Sequence, residues 1–577
     1  MATEELVTEQ FQFLGIDVQK EVLTKCVSLC EEYNVDPETF IEQWMAFSLT
    51  HLNGSPPTLE NLDLLEKKEF SKLTATRLNA LLTNEAANTG ASLTVYGAQV
   101  PVQSDSDVLS GYMTTSPKRI KLENETITAQ SELHPATYSA IVAKSAKYAA
   151  RNNPGTIVHS YGTDKLLQSF TDATGLNNLL ELCITQIPND DGDVYSRAMF
   201  GFELLHEKAS NFDNHIHYLS QCIMKKAGFS ELSSTEITVS GRIECDADAR
   251  LNSKSVVLQG TWETSLSQAV TVDTNSLKQY SLFPGQVVVM RGLNPRGDRF
   301  IPHEVFCDAS QPIPDSKADM MNSLKGTLAM VTVAGPYTTS DNLAYEPLKD
   351  FINYVGTHKP HVVIMTGPFM ECDHIKVNDH TMAETYKSFF DKLVDSLGEL
   401  NLTSPFTKIY IASNYKDIFH INIYPTPPYS SRRKHPNIHF VPDPCTLNIS
   451  GIVVGVTGAD VLMHISQEEI SHGMGGDKLA RLASHIVMQQ TYYPLWPPPA
   501  GLCLDAALWT AHAQLPCTPH ILILPSNFRY FVKEVNGCVV VNPEHLTKGP
   551  GGGTFARILV SNNDELPKSV AAQIVRI

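Results

Sequence analysis

The 577-residue chain has no CxxC pair among its 11 cysteines; only Cys26 and Cys30 are close, at the i, i+4 spacing of one helix face. That excludes a zinc ribbon and a thioredoxin-like redox site. No apolar run reaches the roughly 18 residues of a membrane span, and no secretory leader follows Met1. The sequence therefore reads as intracellular, reduced and soluble. Basic charge is also short, with 44 Lys+Arg against 62 Asp+Glu and a formal net charge of −18. Wrapping nucleic acid requires clustered Lys and Arg, so a role beside DNA is expected to run through protein partners.

What is present falls into five stretches. Residues 1–80 show helical periodicity: "DVQKEVLTKCVSLCEEYN" sets Val22, Leu23, Cys26, Val27 and Cys30 on one face, and "DPETFIEQWMAF" aligns Phe40, Trp44 and Phe47. A small helical bundle that binds other proteins is expected. Residues 81–155 carry few large apolar side chains and read as a flexible linker. Within it, "TTSPKRIKLE" places Ser116 in a proline-directed phosphorylation context, and Lys118, Arg119 and Lys121 form a nuclear-import type cluster. Residues 156–233 read as a mainly helical connecting segment, with amphipathic patterns in "AMFGFELLHEKA" and "HIHYLSQCIMKKAGF".

The period then changes to two. Residues 234–312 offer five short strands separated by turn residues, which predicts an OB-type β-barrel. Few aromatics and no basic stripe accompany them, which favours a structural or protein-binding barrel over a strand-binding one. From 313 to 577, buried strands such as "HVVIMTGPF", "GIVVGVTG" and "GCVVVNP" alternate with helices such as "AETYKSFFDKLVDSLG", predicting a layered α/β domain. The fold class expected is multidomain α+β.

The strand ends of the α/β domain lack the residues that chemistry would need. A two-metal phosphoesterase holds its cations ~3.5–4 Å apart on Asp, His and Asn side chains projecting from such loops. Gly335-Pro336-Tyr337 stands where Asp-x-His is required, and Gly367-Pro368-Phe369 where Gly-Asp is required. Asn414 is retained between Ser413 and Tyr415, and Ser526-Asn527-Phe528 replaces a Gly-His-x-His loop. The punctuation survives and nearly every ligand is gone.

The motifs "YSLFPGQVVVM", "AGPYTTSDNLAYEPL", "TGPFMECDH", "TYYPLWPPP", "ILPSNFRYFVKEVNGCVVVNPEHLTKG" and "GGTFARI" closely resemble the accessory B subunits of DNA polymerase α–primase, from about Ser234 to Ile577. The resemblance implies an OB domain joined to a calcineurin-like phosphoesterase domain that is inactive, with no catalytic residue, metal or cofactor. It implies a nuclear scaffold on which the C-terminal domain of the polymerase catalytic subunit docks. The small and large primase subunits would join the same complex, and other replication factors would be met through the N-terminal domain.

Two rival readings stay open on the residues alone. Asp373, His374, Asp379 and His380, just beyond the second loop, are candidate ligands for a rearranged, active metallophosphoesterase. Arg432, Arg433 and Lys434 could serve a module that binds single-stranded DNA through the barrel. The glycine-rich "KGPGGGTFARILV" and "SHGMGGDKLARL" read as turns, since a phosphate-binding P-loop needs Lys-Ser/Thr after its glycines.

Overall fold

A computed structural model describes residues 20–33, 40, 44, 57–65, 145–172, 182–187, 195, 198–229, 237–315, 327–378, 382, 384–561 and 568–577. The chain divides into two compact units, Met1–Ala129 and Gln130–Ile577. In the first, the helices Lys20–Tyr33 and Leu59–Leu65 pack together. Val22, Cys26, Leu29 and Cys30 are buried on the longer helix, Leu62 and Leu65 on the shorter, and Phe40 and Trp44, which lie between the two in sequence, are buried as well. Burial, with Cys30 alongside, pushes the Cys26 thiol up to about 12, so Cys26 serves as a small hydrophobe. Phe47 lies outside the described residues, as do Ser116, Lys118, Arg119 and Lys121.

In the second unit, the strands Ile237–Cys245, Val256–Gln259, Ala269–Val272, Val287–Leu293 and Arg299–Phe306 close into a barrel. Strand alternation sorts the "VVVM" run by parity. Val288 and Met290 point into the barrel core with Ile243, Leu258 and Phe300. Val287 and Val289 face outward and meet Ile216, Leu219 and Ile223 of the helix Leu205–Ala227. Burial on both faces is why this strand carries no polar alternation. The helix ends at Gly228, whose φ of 71° is the left-handed conformation that terminates helices most cheaply on glycine.

Two sheets make up the rest. The first runs Ile157–Tyr161, Val570–Arg576, Thr554–Val560, Leu328–Ala334, Val362–Thr366, Lys408–Ala412, Ile438–Val441, with the last four mutually parallel. The second runs Phe531–Val535, Cys538–Asn542, Ile521–Ile523, Ile452–Val456, Cys445–Ile449, Ile184–Ile187. Met330, Ile364 and Ile558 of the first share one core with Leu447, Val454 and Ile523 of the second, so the sheets pack face to face. The alternate residues Val331, Val363 and Met365 turn outward onto Phe351 and Phe390 of the helices Glu346–His358 and Tyr386–Gly398. Leu522 and Val540 turn onto Leu462, Leu482 and Trp509 of the helices Val461–Glu468, Lys478–Met488 and Ala506–His512. The layering is helix, sheet, sheet, helix. Central strands covered on both faces require the continuous apolar runs seen in the sequence.

One expectation needs extending and one correcting. Among the described residues the segment 156–233 is mainly helical, through Asp164–Asp172 and Leu205–Ala227, but Ile157–Tyr161 also pairs with Val570–Arg576 and Ile184–Ile187 with Cys445–Ile449, so it supplies an edge strand to each sheet. A linker does not extend to residue 155. The Ser145 hydroxyl donates to Asp341 Oδ2 at 2.7 Å, the Tyr148 hydroxyl donates to Asp350 Oδ2 at 2.8 Å, and Arg151 Nε donates to the Ile577 carbonyl at 3.1 Å. These bonds fasten 145–155 to the α/β layers. Among the described residues, no helix is long and apolar enough to cross a membrane.

Candidate functional site at the strand ends

The parallel strands deliver their following loops to one edge of the sandwich, and these loops touch one another. Gly335 and Gly367 each precede a proline in a cis peptide bond. A Cβ on Gly335 would lie 2.0 Å from the Pro368 carbonyl oxygen, so the two Gly-Pro loops approach backbone to backbone and only glycine fits there. Tyr337 is fully buried, stacks on Phe369 with ring centroids 4.5 Å apart, and donates its hydroxyl to the Thr366 carbonyl at 2.9 Å. Pro336, Tyr337, Pro368 and Phe369 thus put rings and backbone where ligands would project.

The polar residues at this edge are also occupied. Asn414 Nδ2 donates to the Gly458 carbonyl at 3.0 Å and the Gly367 carbonyl at 3.3 Å, while its Oδ1 accepts from Lys416 N at 2.9 Å. Ser526 N donates to Asn542 Oδ1 at 3.1 Å, and Phe528 N donates to the Ser526 hydroxyl oxygen at 3.2 Å. Asn527 gives both its backbone N–H and its side-chain amide to Asp460 Oδ2, at 2.9 and 3.0 Å. Asp460 also caps the helix Val461–Glu468 through Met463 N.

Four residues that sequence reasoning passes over hold these loops together: Asp417, Asp443, Asp460 and His545. Asp417 accepts from Phe369 N at 2.7 Å, from Met370 N at 2.6 Å and from the Tyr429 hydroxyl. Burial nevertheless pushes its carboxyl up to about 7. Asp443 Oδ1 accepts from Gly458 N at 2.8 Å, Oδ2 is buried without a well-formed hydrogen bond among the described residues, and burial pushes this carboxyl too up to about 7. His545 Nδ1 lies 2.6 Å from the Gly335 carbonyl, and burial lowers its pKa. The signal available is positional: Asp460 closes "VTGAD" directly after a buried strand, and Asp443 closes "FVPD" after another.

Among the described residues, no three His, Cys, Asp or Glu side chains come together as a group that could hold a metal ion. The candidates for a rearranged site do not form one: Asp373 is exposed, whereas His374 is buried with Nε2 3.0 Å from the Thr339 carbonyl and Nδ1 accepting from Lys376 N. Asp379 and His380 lie outside the described residues. The carboxylates act as loop staples. Replacing Tyr429 by Phe, which removes one bond from buried Asp417, is expected to lower unfolding free energy by about 1–2 kcal/mol in urea titration. An unchanged midpoint would contradict the staple role.

A Ser, a His and a Glu also meet at the seam between barrel and sandwich. The Ser281 hydroxyl donates to Glu469 Oε1 and lies 2.9 Å from His485 Nε2, while Glu469 Oε1 lies 3.2 Å from the same nitrogen. A proton relay needs serine and carboxylate on opposite ring nitrogens, and here His485 Nδ1 has no hydrogen-bond partner among the described residues. Burial opposes ionisation of Glu469, but bonds from His485, Arg481 and Ser281 hold its pKa well below the usual range. The grouping clamps the seam.

Comparison with known proteins gives three family matches. Residues 4–72 match the N-terminal family of DNA polymerase alpha B subunits, 203–307 the OB domain of the DNA polymerase alpha B subunit, and 330–533 the DNA polymerase alpha/epsilon B-subunit family. The B subunits of DNA polymerase alpha from Mus musculus and Drosophila melanogaster are 31% and 30% identical, each over 100% of both chains. The chain belongs to the family of DNA polymerase alpha B subunits. The Saccharomyces cerevisiae relative of that name is 26% identical over 58% of this chain and 55% of its own. Among solved structures, a Vps29 single mutant from Entamoeba histolytica is similar at a TM-score of 0.19 and 10% identity, over 43% of this chain and 99% of that one, too slight a likeness to build on.

In this family member, three arginines of the barrel strands are spent on carboxylates. Arg242 pairs with Glu244, Arg291 with Glu304 at 3.1 Å and Arg299 with Asp273 at 3.6 Å. Arg432, Arg433 and Lys434 are exposed, but they sit on the sandwich and Arg433 pairs with Asp395 at 2.7 Å.

Proposed function

We propose that this chain is a non-catalytic scaffold of DNA polymerase α–primase. As a member of the B-subunit family it is an accessory subunit in DNA replication. The observation that carries the non-catalytic reading is the closure of the strand-end edge by the Gly335 and Gly367 loops, with Asp417, Asp443 and Asp460 spent on backbone and amide donors. The sandwich is then a calcineurin-like phosphoesterase fold kept for its surface. In this reading the C-terminal domain of the catalytic subunit docks on the barrel and sandwich, the primase subunits join the same assembly, and residues 1–80 meet other replication factors. Lys118, Arg119 and Lys121 direct nuclear import, and phosphate on Ser116 weakens it by adding roughly −1.5 to −2 charge beside them.

The test is co-purification at high salt. A fragment comprising 145–577, which keeps the Ser145, Tyr148 and Arg151 bonds, is expected to retain the catalytic subunit, and one comprising 1–80 is not. The retained fragment is expected to show no Mn²⁺-dependent hydrolysis of phosphoesters. Retention by 1–80 alone would reverse the assignment of roles, and hydrolysis lost on changing Asp373 or His374 would restore the enzyme reading.

A further inference from the structure

Exposed apolar side chains cluster at the start of the helix Leu205–Ala227. Met199, Phe202, Leu204 and Leu205 are 74%, 73%, 56% and 86% exposed, four within seven residues. They are held in place: Gly201 N donates to Asp505 Oδ2 at 3.2 Å, and Ala507 N donates to Glu203 Oε2 at 3.1 Å. A strip of this kind on a fixed backbone is the mark of a surface that a partner covers.

The strip continues. Lys208, one turn on from Leu204, sets its Nζ 4.8 Å above the Trp496 ring and pairs with Glu203 at 3.5 Å, so its charge is already answered. Trp496 in turn floors a groove of about 430 Å³ between the barrel loop 245–250 and the helix Val461–Glu468, edged by Pro497, Pro498 and Pro499. Three carboxylates, Glu244, Asp248 and Glu468, line the groove against one guanidinium, Arg250. Glu244 is bound to Arg242, whereas Asp248 and Glu468 make no hydrogen bond or ion pair among the described residues.

We infer that this face, from Leu205 across Trp496 into the groove, receives a basic amphipathic segment of the polymerase catalytic subunit. The inference rests on the scaffold reading above, which supplies that subunit as the obligate partner. Apolar side chains of the segment cover Phe202, Leu204 and Leu205. Its Lys or Arg stems lie on Trp496 and the prolines while their heads reach Asp248 and Glu468. Uncompensated carboxylates repel nucleic-acid phosphates, and the apolar strip outside the groove extends the contact beyond what a small ligand would cover.

Binding of the purified catalytic subunit to the full-length chain, measured across a salt series, tests this. With Asp248→Lys/Glu468→Lys, affinity is expected to fall by about tenfold or more near 0.1 M salt and the salt dependence to flatten, because screened charge pairs are lost. Leu205→Asp is expected to weaken binding by about tenfold at every salt concentration. Unchanged melting temperatures show that the fold is intact; should either variant misfold, Asp248→Asn/Glu468→Gln and Leu205→Ser replace it, with about threefold losses expected. Wild type that binds while the folded variants bind within about twofold of it overturns this surface alone. Wild type that fails to bind overturns the scaffold reading with it.

Discussion

Gln489→Leu is expected to lower the unfolding free energy by about 2–6 kcal/mol, because it strands two buried backbone groups at ~1–3 kcal/mol each and a third, part-buried one at less. Gln489 follows the helix Lys478–Met488 and is 1% exposed. Its Oε1 accepts from Val287 N at 2.7 Å, and its Nε2 donates to the Val287 carbonyl at 3.0 Å and the Cys307 carbonyl at 2.9 Å. One side chain thus pairs with a barrel strand as a neighbouring strand would. Leucine matches its bulk and none of its polarity, so packing is kept while the bonds are lost. Set against the ~5–15 kcal/mol of a typical domain, that loss separates barrel from sandwich or unfolds one of them. Urea unfolding together with limited proteolysis of the seam reads it out, and a change below about 1 kcal/mol would show that water replaces the amide without cost.

The seam matters because it is built from several independent ties. Ile470–His472 pairs antiparallel with Tyr280–Leu282, carrying a strand of the sandwich side onto the barrel side. Gly285, with a φ of 96°, lets the barrel turn come so close that a Cβ there would lie 2.4 Å from Trp496 N. The Ser281, Glu469, Arg481 and His485 cluster locks the same boundary with charge. These ties fix the angle between barrel and sandwich, which the proposed docking of a partner across both would require.

The central strands are legible because burial on both faces demands the uninterrupted apolar runs that the sequence displays, and the barrel strands because their period is two. The edge strands are not. Ile157–Tyr161 is five residues and Ile184–Ile187 four, and each becomes a strand only through a partner hundreds of residues away, Val570–Arg576 or Cys445–Ile449. "SAKYAARNNPG" looks like linker because its hold on the sandwich is one buried ring, Tyr148, and polar bonds from Ser145, Tyr148 and Arg151, which leave no apolar pattern. "AMFGFELL" looks amphipathic and helical, yet its first residues precede the helix and stay exposed. At the strand ends, Gly335-Pro336 and Gly367-Pro368 are legible as turns. What fastens those turns is hidden: Asp417, Asp443 and His545 resemble any loop residues until the loops converge.

Asp443→Asn is expected to stabilise the protein above neutral pH, by about 2–4 kcal/mol at pH 8 from a carboxyl raised by roughly three pH units at ~1.4 kcal/mol each. Asp443 is fully buried; the Gly458 amide and the nearby Thr457 hydroxyl favour its charged form, but burial outweighs them and the carboxyl is pushed up from 3.8 to about 7. The sign follows from which state binds more protons. Below the unfolded pKa both states hold the proton and Asp443 costs the fold nothing. Between about 3.8 and 7 the unfolded chain releases the proton first, so stability declines as pH rises, and above 7 the penalty is constant. Asparagine keeps an oxygen for Gly458 N and never ionises, which removes that decline. The difference between the two proteins should therefore be near zero close to pH 4 and grow to its full size by pH 8. Urea titrations across that range measure it directly. A difference that is independent of pH, or a variant that is less stable at pH 8, would mean that Asp443 is charged in the folded protein and that its second oxygen finds a donor such as water.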